Sequence, residues 1–179
     1  PGASNFPPCM VSDNGGFNDH SFNQLGLEGL TSAAQDLGVK EKHVQSNADT
    51  DYAPNLNQML DAGCNLIVTV GFNLAPATAT AAKANPKVEF AMIDSALSNA
   101  DNSALVLPNA KPILFDTAQA AFLGGYAAAS YSKTSVVGTF GGMQIPPVTI
   151  FMDGFADAVA YSNSQKNKNV QVLGWDVKT

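Results

Sequence analysis

The hydrophobic positions of this chain alternate between short apolar runs and longer stretches with helical spacing. Phe6 to Ser12 is short and apolar and ends at Asp13. From Ser21 to Leu37, the spacing of Phe22, Leu25, Leu30, Ala33, Ala34 and Leu37 predicts a helix. Ser21 and Gln24 form an S-x-x-Q capping box at its start, and Gly38 stops it. Lys42 to Ser46 predicts a second strand and Leu56 to Ala62 a short helix. The run CNLIVTV, Cys64 to Val70, is continuously apolar and closes at Gly71, as suits a strand buried on both faces of a parallel sheet. An Ala-rich helix follows at Ala75 to Ala84. Then comes the buried strand VEFAMI, Val88 to Ile93, ending at Asp94, and a short fifth strand is expected at Ser103 to Leu107. Asp116 to Tyr131 predicts a helix whose Ala and Gly content implies close packing.

A second unit begins after that helix. Val136 to Phe140 predicts a strand, Gly141-Gly142 a tight turn, and Pro146-Pro147 a helix start. Val148, Phe151, Phe155 and Val159 are expected to line one face of that helix, and Val170 to Trp175 is the next strand. Strands alternating with helices predict a doubly wound parallel α/β sheet. Residues 1–133 are expected to form one complete lobe. Residues 134–179 supply only strand, helix and strand, with a raw edge and little core. Either the chain is a fragment or a partner completes the second lobe. In such sheets ligands bind at the carboxyl ends of the strands, near the switch in strand order. That rule points to Asp13, Gly71-Phe72, Asp94 and Gly141-Gly142-Met143.

Composition narrows the ligand. The 179 residues are 45% hydrophobic with mean hydropathy near zero, enough to bury a core. Net charge is −6, and all nine basic residues are lysine. The absence of arginine, the preferred clamp for phosphate, argues against nucleic acid and against a multiply phosphorylated ligand. No apolar run reaches the ~18 residues of a membrane span. Cys9 and Cys64 give no metal spacing. Both sit in apolar strand-like segments, which favours buried free thiols on neighbouring strands; the other reading is a single disulfide, which would suit an exported protein.

The densest polar cluster is DNGGFNDHSFN, Asp13 to Asn23. Gly15-Gly16 allow an unusual turn, around which Asp13, Asn14, Asn18, Asp19 and Asn23 gather, with Phe22 at the start of the next helix. Such a loop can offer carboxylates and carboxamides to hydroxyls or ring nitrogens beside an aromatic face. On composition alone, the competing reading is a turn, a helix cap and a core phenylalanine. His20 and His43 have no neighbours at ligand spacing, so no metal is expected, and no cofactor loop appears. There is no nucleophile elbow, so no enzyme is expected.

Asp13-x-Gly15-x-x-x-Asp19-x-Ser21-Phe22-Asn23 resembles the opening motif of the basic membrane protein (BMP) family, purine-nucleoside-receptor-like lipoproteins of ABC transporters. NPKVEFAMID, QAAFLGGYAAASYSKTSVVGTFGGM and IPPVTIFMDGFADAV resemble further segments of that family in the same order. The resemblance implies a type I periplasmic-binding-protein fold, two lobes closing on a nucleoside. It implies an extracytoplasmic protein, periplasmic or lipid-anchored, that delivers its ligand to a permease. Its only tie to the membrane would be an N-terminal lipid anchor outside this chain. By the same resemblance Phe22 stacks on the base, Asp13 with Asn18 or Asp19 bonds its edge, and Asn23 belongs to the same cluster. Asp94 contacts the ligand, and Gly71-Phe72 and Gly141-Gly142-Met143 line the cleft. Family members continue for about one more domain, so this chain is expected to hold half a site and to bind nucleosides weakly. A sugar or signalling molecule is the alternative ligand on the same fold.

Overall fold

A computed structural model describes residues 6–99 and 103–177. The chain divides into two compact units, Pro1–Leu114 and Phe115–Thr179.

The first unit is built on a five-stranded parallel sheet. Its strands are β1 (Pro8–Val11), β2 (Lys42–Val44), β3 (Leu66–Val70), β4 (Glu89–Ile93) and β5 (Ala110–Ile113), in the order β2-β1-β3-β4-β5. Helices α1 (Phe22–Leu37), α2 (Tyr52–Asp61) and α3 (Ala75–Ala84) connect the first four. The continuous apolar runs at β1 and β3 are buried because helices cover both faces. Met10, Val68 and Val70 face α1, whose Phe22, Leu27 and Leu30 pack on them together with Phe17 from the preceding turn. Cys9, Val11, Ile67, Phe90 and Met92 point the other way, against Tyr52, Leu56 and Met59 of α2 and Ala75, Ala79 and Ala82 of α3. The expected doubly wound sheet is present, and chain order reverses between β1 and β3.

Four expectations need correction. The cysteines are joined: Cys9 and Cys64 form a disulfide, with Cα atoms 5.9 Å apart, tying β1 to the entry of β3. Parallel pairing places Cys9 opposite Ile67, and a chain so close in space can bridge where sequence shows only two apolar strands. The fifth strand is not at Ser103 to Leu107, part of a segment held by isolated bridges, but at Ala110–Ile113. Pro112 hides this strand from sequence reading, yet proline is tolerated on an edge. Asn109 secures its entry: the buried carboxamide donates to the carbonyls of Ala82, Asn85 and Val88 at 3.0, 3.1 and 2.9 Å. Helix α2 starts at Tyr52 rather than Leu56, which puts Tyr52, Leu56 and Met59 on one buried face. The Ser21 side chain makes no cap hydrogen bond; Asp19 caps α1 instead.

The second unit contains α4 (Thr117–Tyr131), β6 (Val136–Gly138), α5 (Pro146–Lys166) and β7 (Gln171–Leu173), with β6 and β7 paired in parallel. Proline at the start of α5 is as expected. Its buried face carries Met152, Ala158, Val159 and Ser162, while Phe151, expected inside, is exposed. Close approach replaces bulk between α4 and α5. A side chain at Gly125 would meet the Phe155 backbone, and one at Gly154 the Ala118 backbone. Because α4 packs on α5, the contacts divide the chain at 114/115, earlier than the boundary drawn at 133/134.

Candidate functional site

The carboxyl edge of the five-stranded sheet gathers most of the residues singled out in the first unit. Asp13 follows β1, Gly71-Phe72 follows β3, and Asp94 follows β4, so two carboxylates flank Gly71-Phe72. With strands about 4.8 Å apart, Asp13 and Asp94 stand about 10 Å from each other along this edge. β1 and β3 bound the point where strand order reverses, the ligand crevice of a 2-1-3-4-5 sheet.

Asp13 is held in place by its neighbours. Its Oδ1 accepts hydrogen bonds from the Gly15 N–H at 2.8 Å and from Asn23 Nδ2 at 2.7 Å. The Asp13 N–H donates to Asn23 Oδ1 at 3.1 Å. Its Oδ2 leans over Gly71, where a Cβ would sit 2.6 Å away, and Gly71 has φ +85°. Glycine there satisfies both the backbone angle and the space the carboxylate needs. Ser12 is buried beneath, donating to the Asp13 carbonyl at 2.9 Å and accepting from the Ser46 N–H at 3.1 Å.

Asp19 and Asn23 look inward. Asp19 accepts from the backbone N–H groups of Ser21, Asn23 and Gln24 and from Asn23 Nδ2. Burial pushes the Asp19 carboxyl up, but these hydrogen bonds outweigh it and hold the carboxyl below its ordinary value. Asn23 is buried, and both its amide hydrogens are committed, to Asp13 and to Asp19. Phe22 is half-buried among Met10, Val68 and Val70. Asn18 lines a separate hollow of about 500 Å³ with Phe17, Gln24, Leu27 and Glu28, and neither Asp13, Gly71 nor Asp94 lies there. A larger hollow of about 790 Å³, lined by Phe6, Pro7 and Asn65, lies at the amino ends of the strands and away from this edge.

Asp94 is half-buried in a left-handed conformation, φ 63°, with its N–H donated to the Ile113 carbonyl at 2.9 Å. Burial pushes its carboxyl up. Among the described residues neither Asp13 nor Asp94 has a cationic partner; the ion pair found there is His43 with Glu41. No group of side chains suited to a metal ion occurs among the described residues. An edge with two unpaired carboxylates favours ligands rich in O–H and N–H donors and repels phosphate. In the second unit, Gly141, Gly142 and Met143 are exposed beyond β6, with Gly141 close to Val148.

The sequence reading missed the support behind the turn. The Phe17 N–H donates to Gln45 Oε1 at 3.3 Å, and Asn55 Nδ2 donates to the Gln45 carbonyl and Ser46 Oγ at 3.2 and 3.0 Å. These residues lie far from Asp13 in sequence, and only the pairing of β2 with β1 brings them under it.

The family model described as "ABC transporter substrate-binding protein PnrA-like" matches residues 6–176. The chain belongs to the Bmp family. It is 34% identical over 170 residues to the ABC transporter nucleoside-binding protein BmpA of Lactococcus lactis, covering 93% of this chain and 46% of that protein. Basic membrane protein A of Borreliella burgdorferi is 30% identical, covering 96% and 49%. An ABC transporter solute-binding protein from Aeropyrum pernix superposes with TM-score 0.75 at 26% identity, over 93% of this chain and 46% of that one. An arabinose-binding protein from Geobacillus stearothermophilus, 14% identical with TM-score 0.67, shares the fold alone. The expected periplasmic-binding-protein fold and Bmp membership both hold. The chain spans about half the length of the curated relatives it matches.

Proposed function

We propose that this Bmp-family chain carries one jaw of a purine-nucleoside site in the solute-binding component of an ABC importer. The observation that carries the reading is the pair of cation-free carboxylates, Asp13 and Asp94, on either side of Gly71-Phe72 at the strand-order reversal. Carboxylates accept from base N–H groups and ribose hydroxyls, and their charge disfavours nucleotides. Asp13 is the principal contact and Asp94 the second. Phe72 or Phe22 supplies the aromatic face, with base stacking worth roughly 1–3 kcal/mol. Asn23 and Asp19 position Asp13 and the start of α1. The nucleoside-binding name of the Lactococcus relative supports the ligand class. The protein binds and releases its ligand unchanged and hands it to a permease.

The disulfide supports an extracytoplasmic location, because such bonds persist in oxidising compartments. The Pyrococcus horikoshii relative named as a lipoprotein supports anchoring to the membrane surface.

Isothermal titration with guanosine, adenosine and inosine, in competition with free pentoses, tests the ligand. Weak nucleoside binding that pentoses and nucleotides fail to displace is expected. Preference for a pentose would move the assignment to a sugar, and sub-micromolar nucleoside affinity would sink the single-jaw reading.

A further inference from the structure

Asn14-Gly15 is the single Asn-Gly step in the sequence. The turn itself calls for glycine there. A Cβ at position 15 would stand 3.0 Å from Asp13 Oδ1 and 3.3 Å from Asn23 Nδ2, crowding the bond between those two side chains. Without a Cβ, nothing shields the Gly15 main-chain nitrogen from the neighbouring Asn14 carboxamide. Both residues are exposed to water. The turn is closed by the Gly16 N–H to the Asp13 carbonyl at 3.2 Å, and the Gly15 N–H donates to Asp13 Oδ1 at 2.8 Å. A carboxylate oxygen therefore sits on the proton that the nitrogen must lose to become a nucleophile. Among the described residues no hydrogen bond restrains the Asn14 carboxamide. Asn163, also followed by a small residue, is the contrast. Its carboxamide donates to the Val170 carbonyl at 2.9 Å and accepts from the Val170 N–H at 2.8 Å, which fixes it within α5.

We propose that Asn14 is a self-modifying site, where deamidation turns a carboxamide of the Asp13 turn into a carboxylate. The Gly15 nitrogen, its proton lost, bonds to the Asn14 Cγ. The Cγ–Nδ2 bond breaks, and ammonia leaves with a proton. Water then opens the five-membered imide at one of its two carbonyls, leaving aspartate or isoaspartate at position 14. The net change is one amide hydrolysed, with no oxidant or reductant, and one negative charge added to a chain already at −6. The isoaspartyl product inserts an extra main-chain carbon before Gly15, so the Gly15 N–H leaves Asp13 Oδ1 and the carboxylate loses a bond that orients it. The aspartyl product sets a second negative charge beside Asp13. Either way, nucleoside capture at Asp13 weakens as the protein ages. That consequence, though not the modification, rests on the nucleoside reading above.

The test holds the folded 179-residue chain at mildly alkaline pH and follows it by peptide mapping. Position 14 should convert ahead of every other asparagine, Asn163 included, with isoaspartate the main product. Asn14→Gln should abolish the conversion, because its longer side chain does not close the five-membered ring. Conversion at position 14 in urea but not in the folded chain would show that the turn locks the amide, and overturns the proposal. So does conversion led by another asparagine. The aged chain, separated by anion exchange, should bind inosine about tenfold more weakly than the fresh chain, the worth of one hydrogen bond to a charged group. Equal affinity overturns the loss of capture. If the fresh chain gives no response to inosine, the nucleoside reading falls, while the peptide map still decides the modification.

Discussion

The two units reach their cores by different routes. In residues 1–114, five strands bury apolar residues on both faces, and the Cys9–Cys64 bond crosses the centre. In residues 115–179, two short strands carry little, and the core is mainly the close contact of α4 with α5. Exposure follows the difference. Leu123, Tyr131 and Phe140 are 73%, 87% and 90% exposed, whereas the first unit's β1 and β3 are almost wholly buried. A sheet with covered faces can hold charged side chains at its edge in fixed positions. A helix pair with two strands offers no equivalent frame, and among the described residues the preorganised hydrogen bonds around Asp13 have no counterpart near Gly141-Gly142.

The disulfide should make the largest single contribution to the first unit. Its ends are 55 residues apart, and removing it with Cys9→Ser and Cys64→Ser should cost about 4 kcal/mol in the first unit by loop-closure entropy. Urea unfolding followed at first-unit signals checks this; no loss would show that the sheet does not need the bond. Next comes Gly154→Val, which drives a side chain into the Ala118 backbone. It should cost about 3 kcal/mol and collapse the amide dispersion of residues 115–177. Retained dispersion would show that the helix pair is not the core of that unit.

Asn109→Ala should cost about 2 kcal/mol, since the carbonyls of Ala82, Asn85 and Val88 each lose a donor. Exchange at β5 should quicken first, because Asn109 fixes the entry to that edge strand.

The smallest effects separate the carboxylates by sign. Asp19 titrates below its ordinary 3.8 in the folded chain, so its contribution is present above that value and lost as pH falls through the folded one. Asp94 titrates above 3.8. Its penalty is absent well below 3.8 and fully present above its folded value, so stability falls as pH rises through that window. Asp19→Asn should therefore destabilise at neutral pH and Asp94→Asn should stabilise slightly, by urea midpoints. Opposite signs would remove the assigned roles.

The fold was legible where a residue's neighbours are set by chain order. Apolar runs at β1, β3 and β4 announced buried strands, and the residues after them marked the edge. What stayed hidden depends on pairing across the sheet. Cys9 meets Cys64 because β1 lies beside β3, and Gln45 and Ser46 support the turn because β2 lies on the other side. Strand β5 escaped because Pro112 reads as a breaker unless the strand is known to be outermost. In the polar cluster Asp13 to Asn23 the expected turn and helix cap are both present. Asp19 and Asn23 form a cap and a clamp, and Asp13 is the carboxylate that they present.

The most direct measurement is the map of amide shifts when the 179-residue chain is titrated with inosine. Shifts are expected at Asp13, Gly15, Gly71, Phe72 and Asp94, with millimolar affinity and none of them produced by D-ribose at equal concentration. Shifts confined to Asn18, Glu28 and the hollow beside α1, or the same pattern with ribose, would contradict a nucleoside jaw at the carboxyl edge of this sheet.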